Sequence, residues 1–311
     1  MGTDMEFKPV LCIYHKDCLD GIGAAWVVWR HFKNMGIEIE LVAANYKDKM
    51  PDVDGKVVYV VDFSYPRPLM EDMLRRAHDV VVLDHHTSAK KNLEGLFVVD
   101  ESHSGAMLAW KYFNHTPPPQ GLLYVEDRDL WKFKYPETNN WVTAAFSYPF
   151  NVEQFDALMN TDPLDLIHEG KILLRKHQQD CSRVALNTRT MKCMGYEVPV
   201  VNANIFFASD LGHLLSANAP FALIYMDLPG GRKYSIRCQK DTDFDVSLIA
   251  EYFGGGGHKD ASGFTIAYDD KRFARSHEVL DYTVWEKIKG TCGYMMYSLK
   301  TELKAIAGIF K

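Results

Sequence analysis

The acids and imidazoles of this chain gather where its hydrophobic runs stop. The run "VVVLDHH" (80–86) ends on Asp84, His85 and His86. "YHKDCLDG" (14–21) supplies His15, Asp17 and Asp20, "VVDFS" (60–64) supplies Asp62, and "VEDRD" (125–129) supplies Asp127 and Asp129. Taken singly, an aspartate after a buried strand is a helix cap or a turn residue, and a lone histidine is a packed or surface imidazole. Four such ends in one half of the chain point elsewhere. Carboxylates that converge without cations repel one another, and only Lys16 and Arg128 interleave these acids. Divalent cations are the natural partner. Carboxylates mixed with imidazoles suit Mn²⁺ or Mg²⁺, with Fe²⁺, Co²⁺ and Zn²⁺ within range. The ligand supply exceeds what one ion needs, and two ions about 3.5–4 Å apart can share a carboxylate and clamp a phosphoryl group.

The elements that must position these residues alternate. "PVLCIY" (9–14), "IEIELVAA" (37–44), "KVVYVVDFS" (56–64) and "VVVLDHH" read as strands. The intervening stretches 20–36, 68–79 and 104–114 carry helical periodicity, the first closed by Gly36 and the last capped by Ser102 or Ser104. A β-α-β order predicts a mostly parallel sheet with helices on both faces, which binds ligands at the carboxyl ends of its strands. Residues 122–133 fit strand or helix equally. Residues 151–190 read as a helical linker. "YEVPVVNA", "FALIYMD", "KYSIRCQ" and "GFTIAY" then form a smaller strand-rich α/β domain, and 271–311 is expected to add two helices. The predicted division is thus 1–150, 151–190, 191–270 and 271–311.

Composition bounds the partners. The chain has 311 residues, is 47% hydrophobic and carries a net charge of -6, which argues against a broad basic face for long duplex nucleic acid. Its six cysteines contain no C-x-x-C pair and read as reduced thiols of a cytoplasmic protein. Neither a signal peptide nor a bilayer-spanning run is seen, so no membrane partner is expected.

In order along the chain, "HKDCLDG" (15–21), "VDFS" (61–64), "DHH" (84–86), "DRD" (127–129) and "GGGGHKDASGF" (254–264) resemble the DHH-family phosphoesterases. The last looks like the glycine-rich, DHHA1-type substrate domain found in nano-RNase or oligoribonuclease-like members. The resemblance implies two domains facing each other across a cleft. His15, Asp17 and Asp62 would hold one ion. Asp20, Asp62, His85 and Asp127 would hold the second, with Asp62 bridging. Asp84 would orient the site and His86 would face the scissile phosphate. "HKDCLD" carries an extra residue relative to the tighter H-x-D-x-D-G form, which leaves the roles of Asp17 and Asp20 to be divided, and Asp129 is the weaker candidate of its pair.

Gly254–Gly257, with Gly255, Gly256 and Gly257 as contact residues, could wrap an anion as a backbone nest, with His258 donating beside them. Arg237 would point into the same cleft and fork onto phosphate. The function expected is two-metal hydrolysis, by a metal-bridging hydroxide and with Mn²⁺ foremost, of phosphoesters in short single-stranded oligonucleotides or small nucleotides. Cyclic dinucleotides, phosphoadenosine phosphate, single-strand exonuclease action and a non-catalytic nucleotide sensor are the alternatives. Inorganic pyrophosphatase ranks lower, and a homodimer stays open.

Overall fold

The computed structural model describes residues 8–46, 48–240 and 242–270. The helices expected in 271–311 lie outside the described residues. The first sheet is built as β1 (Val10–His15), α1 (Leu19–Asn34), β2 (Glu40–Ala44), β3 (Val57–Val61), α2 (Arg67–Arg76) and β4 (Asp79–Leu83). Its order is β2-β1-β3-β4 and every pair is parallel. Both faces are covered, and the period-2 alternation of the strands sorts side chains between them. Leu11, Ile13, Val58 and Val60 face α2 through Met70 and Met73. Cys12, Tyr59 and Val61 face α1 through Trp26 and Ile22. Side chains such as Ile13, with none of its surface exposed, each contribute about 1.5–3 kcal/mol by leaving water.

Six helices follow: α3 (Thr87–Asn92), α4 (Gly105–Phe113), α5 (Gln120–Asp129), α6 (Thr138–Ala145), α7 (Val152–Asn160) and α8 (Pro163–Ala185). Residues 122–133, ambiguous by periodicity, are therefore mainly helix. Ser104 caps α4, its hydroxyl accepting from the Met107 amide. Helix α7 packs into the first core through Phe155, and Asp156 accepts a 2.8 Å hydrogen bond from the Trp26 indole.

The second domain contains β5 (Arg189–Cys193), β6 (Tyr196–Asn202), α9 (Ala208–Ser216), β7 (Ala222–Leu228), β8 (Gly231–Arg237), α10 (Ser247–Tyr252), β9 (Gly256–Gly257) and β10 (Ala261–Ala267). Its sheet order is β5-β6-β7-β8-β10-β9, with β6 and β7 parallel and the other pairs antiparallel. One face packs on α10 through Ile249 and Phe253, the other on α8 and α9 through Cys181 and Leu211.

Helix α8 belongs to both cores. Leu166 and Ile167 are buried in the first and Cys181 in the second, while residues 171–180 between them bury nothing fully. Its docking on α6 is close: a methyl at Gly170 would stand 1.7 Å from the Asn140 carbonyl oxygen.

Polar contacts among the described residues tie the domains directly. Lys91 is 3.6 Å from Glu251, the Gly257 amide donates to Ser88 Oγ at 3.4 Å, and Lys240 Nζ donates to the Leu130 carbonyl. Another is a half-buried cluster in which Asp210 accepts from Arg128 Nη2 at 3.0 and 3.1 Å and from His177 Nε2 at 2.9 Å. Hydrogen bonds to Asp210 and Cys181 lift His177 to about 10 against the opposing effect of burial. A folded-state value above the ordinary one stabilises below about pH 6.5, and that contribution is lost as pH rises toward the folded value. His177→Gln is expected to lower Tm by a few degrees near pH 6 and far less above about pH 10 in thermal melts.

Candidate metal centre

The carboxyl ends of β1, β3 and β4 converge, and Asp62 stands at the focus. It adopts φ 60°, a left-handed conformation that aspartate tolerates better than most residues. This turn places its two oxygens on opposite tasks. Oδ1 is 3.1 Å from His85 Nε2 and Oδ2 is 3.4 Å from His15 Nδ1. Two neighbours force the geometry. A methyl at Gly105 would meet Asp62 Cβ at 2.6 Å, and one at Gly21 would meet the His15 carbonyl oxygen at 2.2 Å. The glycine that closes "HKDCLDG" is thus needed for α1 to start directly against β1.

Three acids surround His85 Nε2: Asp62, Asp129 at 3.5 Å and Asp20 at 3.7 Å. Asp20 is also fixed by the start of α4, accepting from the Gly105 amide at 2.5 Å and the Ala106 amide at 3.0 Å. Asp84 Oδ1 accepts from the backbone amides of His85 and His86 and lies 2.8 Å from His86 Nδ1. It therefore orients His86 with Nε2 left for another partner. The His258 ring of the second domain stacks on His86 at 4.5 Å and lies 4.8 Å from His85. The strand that ends "LDHH" thus forms the floor of the site, and His258 closes on it from the opposite domain.

The electrostatics are those of a cluster short of positive charge. Burial, then the charges of Asp62 and Asp129, raise the Asp20 carboxyl well above its usual range. Burial also raises Asp129. Burial opposes ionisation of Asp62 too, but the adjacent His15 and His85 imidazoles outweigh it and hold this carboxyl well below the usual range. Burial works against a charged His85, yet Asp129, Asp62 and Asp20 lift it to about 10. His258 is pushed well down by burial and by His86 and His85.

Buried side-chain atoms left without a hydrogen-bond partner include His15 Nδ1, Asp62 Oδ2, Asp84 Oδ2, His85 Nδ1 and Asp129 Oδ2. Orphaned buried polar groups are rare and call for a ligand. Two donor groups, His15–Cys18–Asp62 and Asp20–Asp62–His85, each hold their atoms within 4.8 Å of one another and share Asp62. The residues present fit divalent cations on both sides of Asp62.

Four sequence expectations change. Asp17 does not join the centre. It is exposed at φ 55° in the turn between β1 and α1, and Cys18 takes the position beside His15 and Asp62. Asp127 is likewise turned away. Its carboxylate accepts from the Lys134 amide (2.8 Å), the Tyr135 amide (3.1 Å) and Thr138 Oγ1 (2.5 Å), so it ties α5 to α6, while Asp129 faces His85. Two residues apart on a helix lie on nearly opposite faces, so only one of the pair could reach the site. The glycine run forms no open anion nest. Gly255 and His258 donate their amides to Ala250 and Ala261, Gly257 donates to Ser88, and Gly256–Gly257 pairs with β10. A methyl at Gly255 would stand 2.0 Å from the Gly263 carbonyl oxygen, so close strand approach accounts for that glycine.

Arg237, finally, is engaged. Nη1 donates to the Ile236 and Ser262 carbonyls and Nη2 to Ser209, and burial pushes the group down to about 10. Tyr46 was not foreseen at all. Its buried hydroxyl has no partner and its ring lies 5.8 Å from His15 and 6.3 Å from His86.

A paired substitution separates the two acids of "DRD". Asp127→Asn is expected to cost about 1–3 kcal/mol of stability in denaturant titrations, by setting an amide against three donors. Asp129→Asn should leave stability near wild type and reduce the metal bound per chain in elemental analysis.

The segment from residue 9 to residue 129 matches the family model "DHH family, N-terminal domain". It is a DHH domain. The chain is 28% identical over 290 residues to an uncharacterized protein of Acanthamoeba polyphaga mimivirus, across 82% of this chain and 67% of that one. It is 21% identical over 212 residues to the cyclic-di-AMP phosphodiesterase of Geobacillus thermodenitrificans, across 66% of this chain but 32% of that protein. An exopolyphosphatase-related protein from Bacteroides fragilis shares the fold, at TM-score 0.51 and 17% identity, across 86% of this chain and 89% of that one. The match to the DHH family model, together with the converging acids and histidines, indicates a phosphoesterase, a hydrolase. Among the described residues no helix is long and apolar enough to cross a membrane.

Proposed function

We propose that this chain is a two-metal phosphodiesterase or phosphatase acting on short oligonucleotides or small nucleotides, with the second domain as its substrate half. The observation that carries the reading is Asp62, buried at 1% exposure, with one oxygen directed at each of two donor groups. His15 and Asp62 would hold one ion, and Asp20, Asp62, His85 and Asp129 the other. When bound, divalent ions supply a water of lowered pKa and neutralise charge developing on phosphorus-bound oxygens.

The protein's own groups do the rest. Asp84 fixes the His86 ring so that Nε2 can donate to a phosphoryl oxygen. His258 brings a second imidazole to the same place from the opposite domain. Tyr46 adds a hydroxyl that lacks any other partner. Short substrates suit the close approach of the second domain, whose His258 ring stacks on His86 with centroids 4.5 Å apart, and the net charge of -6. A processive nuclease would need a longer basic channel.

The test is a panel with Mn²⁺: a dinucleotide, a five-nucleotide RNA, a long single strand, a cyclic dinucleotide, phosphoadenosine phosphate and pyrophosphate, with products separated by chromatography. Mononucleotide release from the dinucleotide and the five-nucleotide RNA, absent in His86→Ala, is the expected result. Cleavage of the long strand alone would overturn the preference for short substrates. No turnover of any phosphoester by metal-loaded protein would overturn the enzyme.

A further inference from the structure

We propose that Cys18 is a thiolate ligand of the ion on the His15 side of Asp62, so that the two halves of the centre differ in softness and select different metals. This rests on the two-metal reading above and assigns one side of it a sulfur donor.

Cys18 occupies the N-cap position of α1 in an extended conformation (φ -123°, ψ 133°), and its side chain makes no capping hydrogen bond. Its Sγ therefore serves no local backbone purpose of the kind that a serine or aspartate would serve there. It lies with a His15 ring nitrogen and an Asp62 oxygen inside a 4.8 Å circle. The second observation is independent of the cysteine. Asp62 Oδ2 and His15 Nδ1 are both buried without a hydrogen-bond partner, although Asp62 is only 1% exposed. Both residues belong to this donor group. The acid nearest in sequence, Asp17, is turned out to solvent and does not compete with the sulfur for the position.

The chemistry of the two sides then diverges. The His15 side offers sulfur, imidazole nitrogen and one carboxylate oxygen, a set that suits Zn²⁺, Fe²⁺ or Co²⁺. The other side offers Asp20, Asp129, Asp62 and His85, oxygen-rich and hard, which suits Mn²⁺ or Mg²⁺. The thiol must lose its proton to bind, and an arriving cation removes it. Cys12, Cys181, Cys193 and Cys238 are all buried in the hydrophobic cores.

The experiment is Co²⁺ titration of the full-length chain, followed in the near ultraviolet, where thiolate-to-cobalt charge transfer absorbs, together with elemental analysis after loading from an equimolar Zn²⁺/Mn²⁺ mixture. Wild type is expected to show the charge-transfer band and to retain both metals. Cys18→Ser should lose the band. Cys18→Asp should lose it while still binding two ions, and its Zn²⁺ to Mn²⁺ ratio should fall by about tenfold as the donor set hardens. Two Co²⁺ bound without a charge-transfer band, or a band that survives Cys18→Ser, would overturn the thiolate assignment and leave the two-metal reading standing. Failure to bind any metal would overturn both.

Discussion

Asp62→Asn is expected to abolish metal-dependent phosphoester hydrolysis. Loss of a group that merely orients a metal ligand costs roughly 10–100-fold. Asp62 faces both donor groups at once, so the loss should exceed that range. Asparagine is the informative choice. At φ 60° it is tolerated about as well as aspartate, whereas alanine would add backbone strain to the loss of charge. The carboxylate's partners, His15 and His85, would then face a neutral amide, and neither group could share an anionic oxygen. Bound metal per chain, read by elemental analysis, should fall on both sides of the centre together. The metal-free variant should remain folded, because the substitution removes one anion from a cluster that already holds Asp20 and Asp129 above their usual range. Retention of full turnover would remove Asp62 from the mechanism. Loss of one ion with the other kept would show that Asp62 does not bridge.

Gly105→Ala is expected to damage the same centre from behind. A methyl there would stand 2.6 Å from Asp62 Cβ, 2.8 Å from Asp62 Cα and 3.0 Å from Asp20 Oδ2. Real side chains do not approach so closely, so either α4 or the turn after β3 must move. Over-packing of this kind costs about 1–3 kcal/mol, which should appear as a lower denaturant midpoint. The effect on activity should be larger than the effect on stability. A displacement of about 1 Å in a catalytic constellation can cost on the order of 100-fold. Here it moves Asp62 and also disturbs Asp20, whose carboxylate accepts the Gly105 amide. An unchanged kcat at reduced stability would mean that the turn after β3 relaxes without moving the metal ligands.

Much of the architecture was legible because burial writes itself into pattern. Three strands of the first sheet, β1, β3 and β4, read as near-continuous apolar runs and the edge strand β2 as an alternating one, and the acids stood out against the apolar runs. His15, Asp20, Asp62, Asp84, His85 and His86 were therefore visible at strand ends before any contact was known. What failed was choice between near neighbours. Asp17 and Cys18 are adjacent, and only the left-handed turn at Asp17 decides which enters the site. Asp127 and Asp129 are equal candidates until helix α5 is placed against α6, and then Thr138 and two backbone amides claim Asp127. The glycine run misled for a related reason. A sequence of four glycines shows that backbone must come close to something, but not whether that something is an anion or, as at Gly255, the protein's own strand. Tyr46 carried no signal, since a tyrosine in a loop after an edge strand has no periodicity to betray a buried hydroxyl.

The double membership of α8 has a consequence for how the chain can vary. A helix that is anchored in one core at Ile167 and Gly170 and in the other at Cys181 acts as a rotational gauge between them. Each residue added between the anchors would turn the second sheet by about 100° and advance it by about 1.5 Å. One inserted residue would swing His258 away from His86 altogether. Seven would nearly restore the angle but push the sheets about 10 Å apart along the axis. Apart from His177, which is held by Asp210, the identity of the exposed residues from Lys171 to Asp180 is free to drift, but their number is not. The distance that brings an imidazole of one domain over the metal ligands of the other is thus counted in residues of a solvent-facing helix that never touches the site.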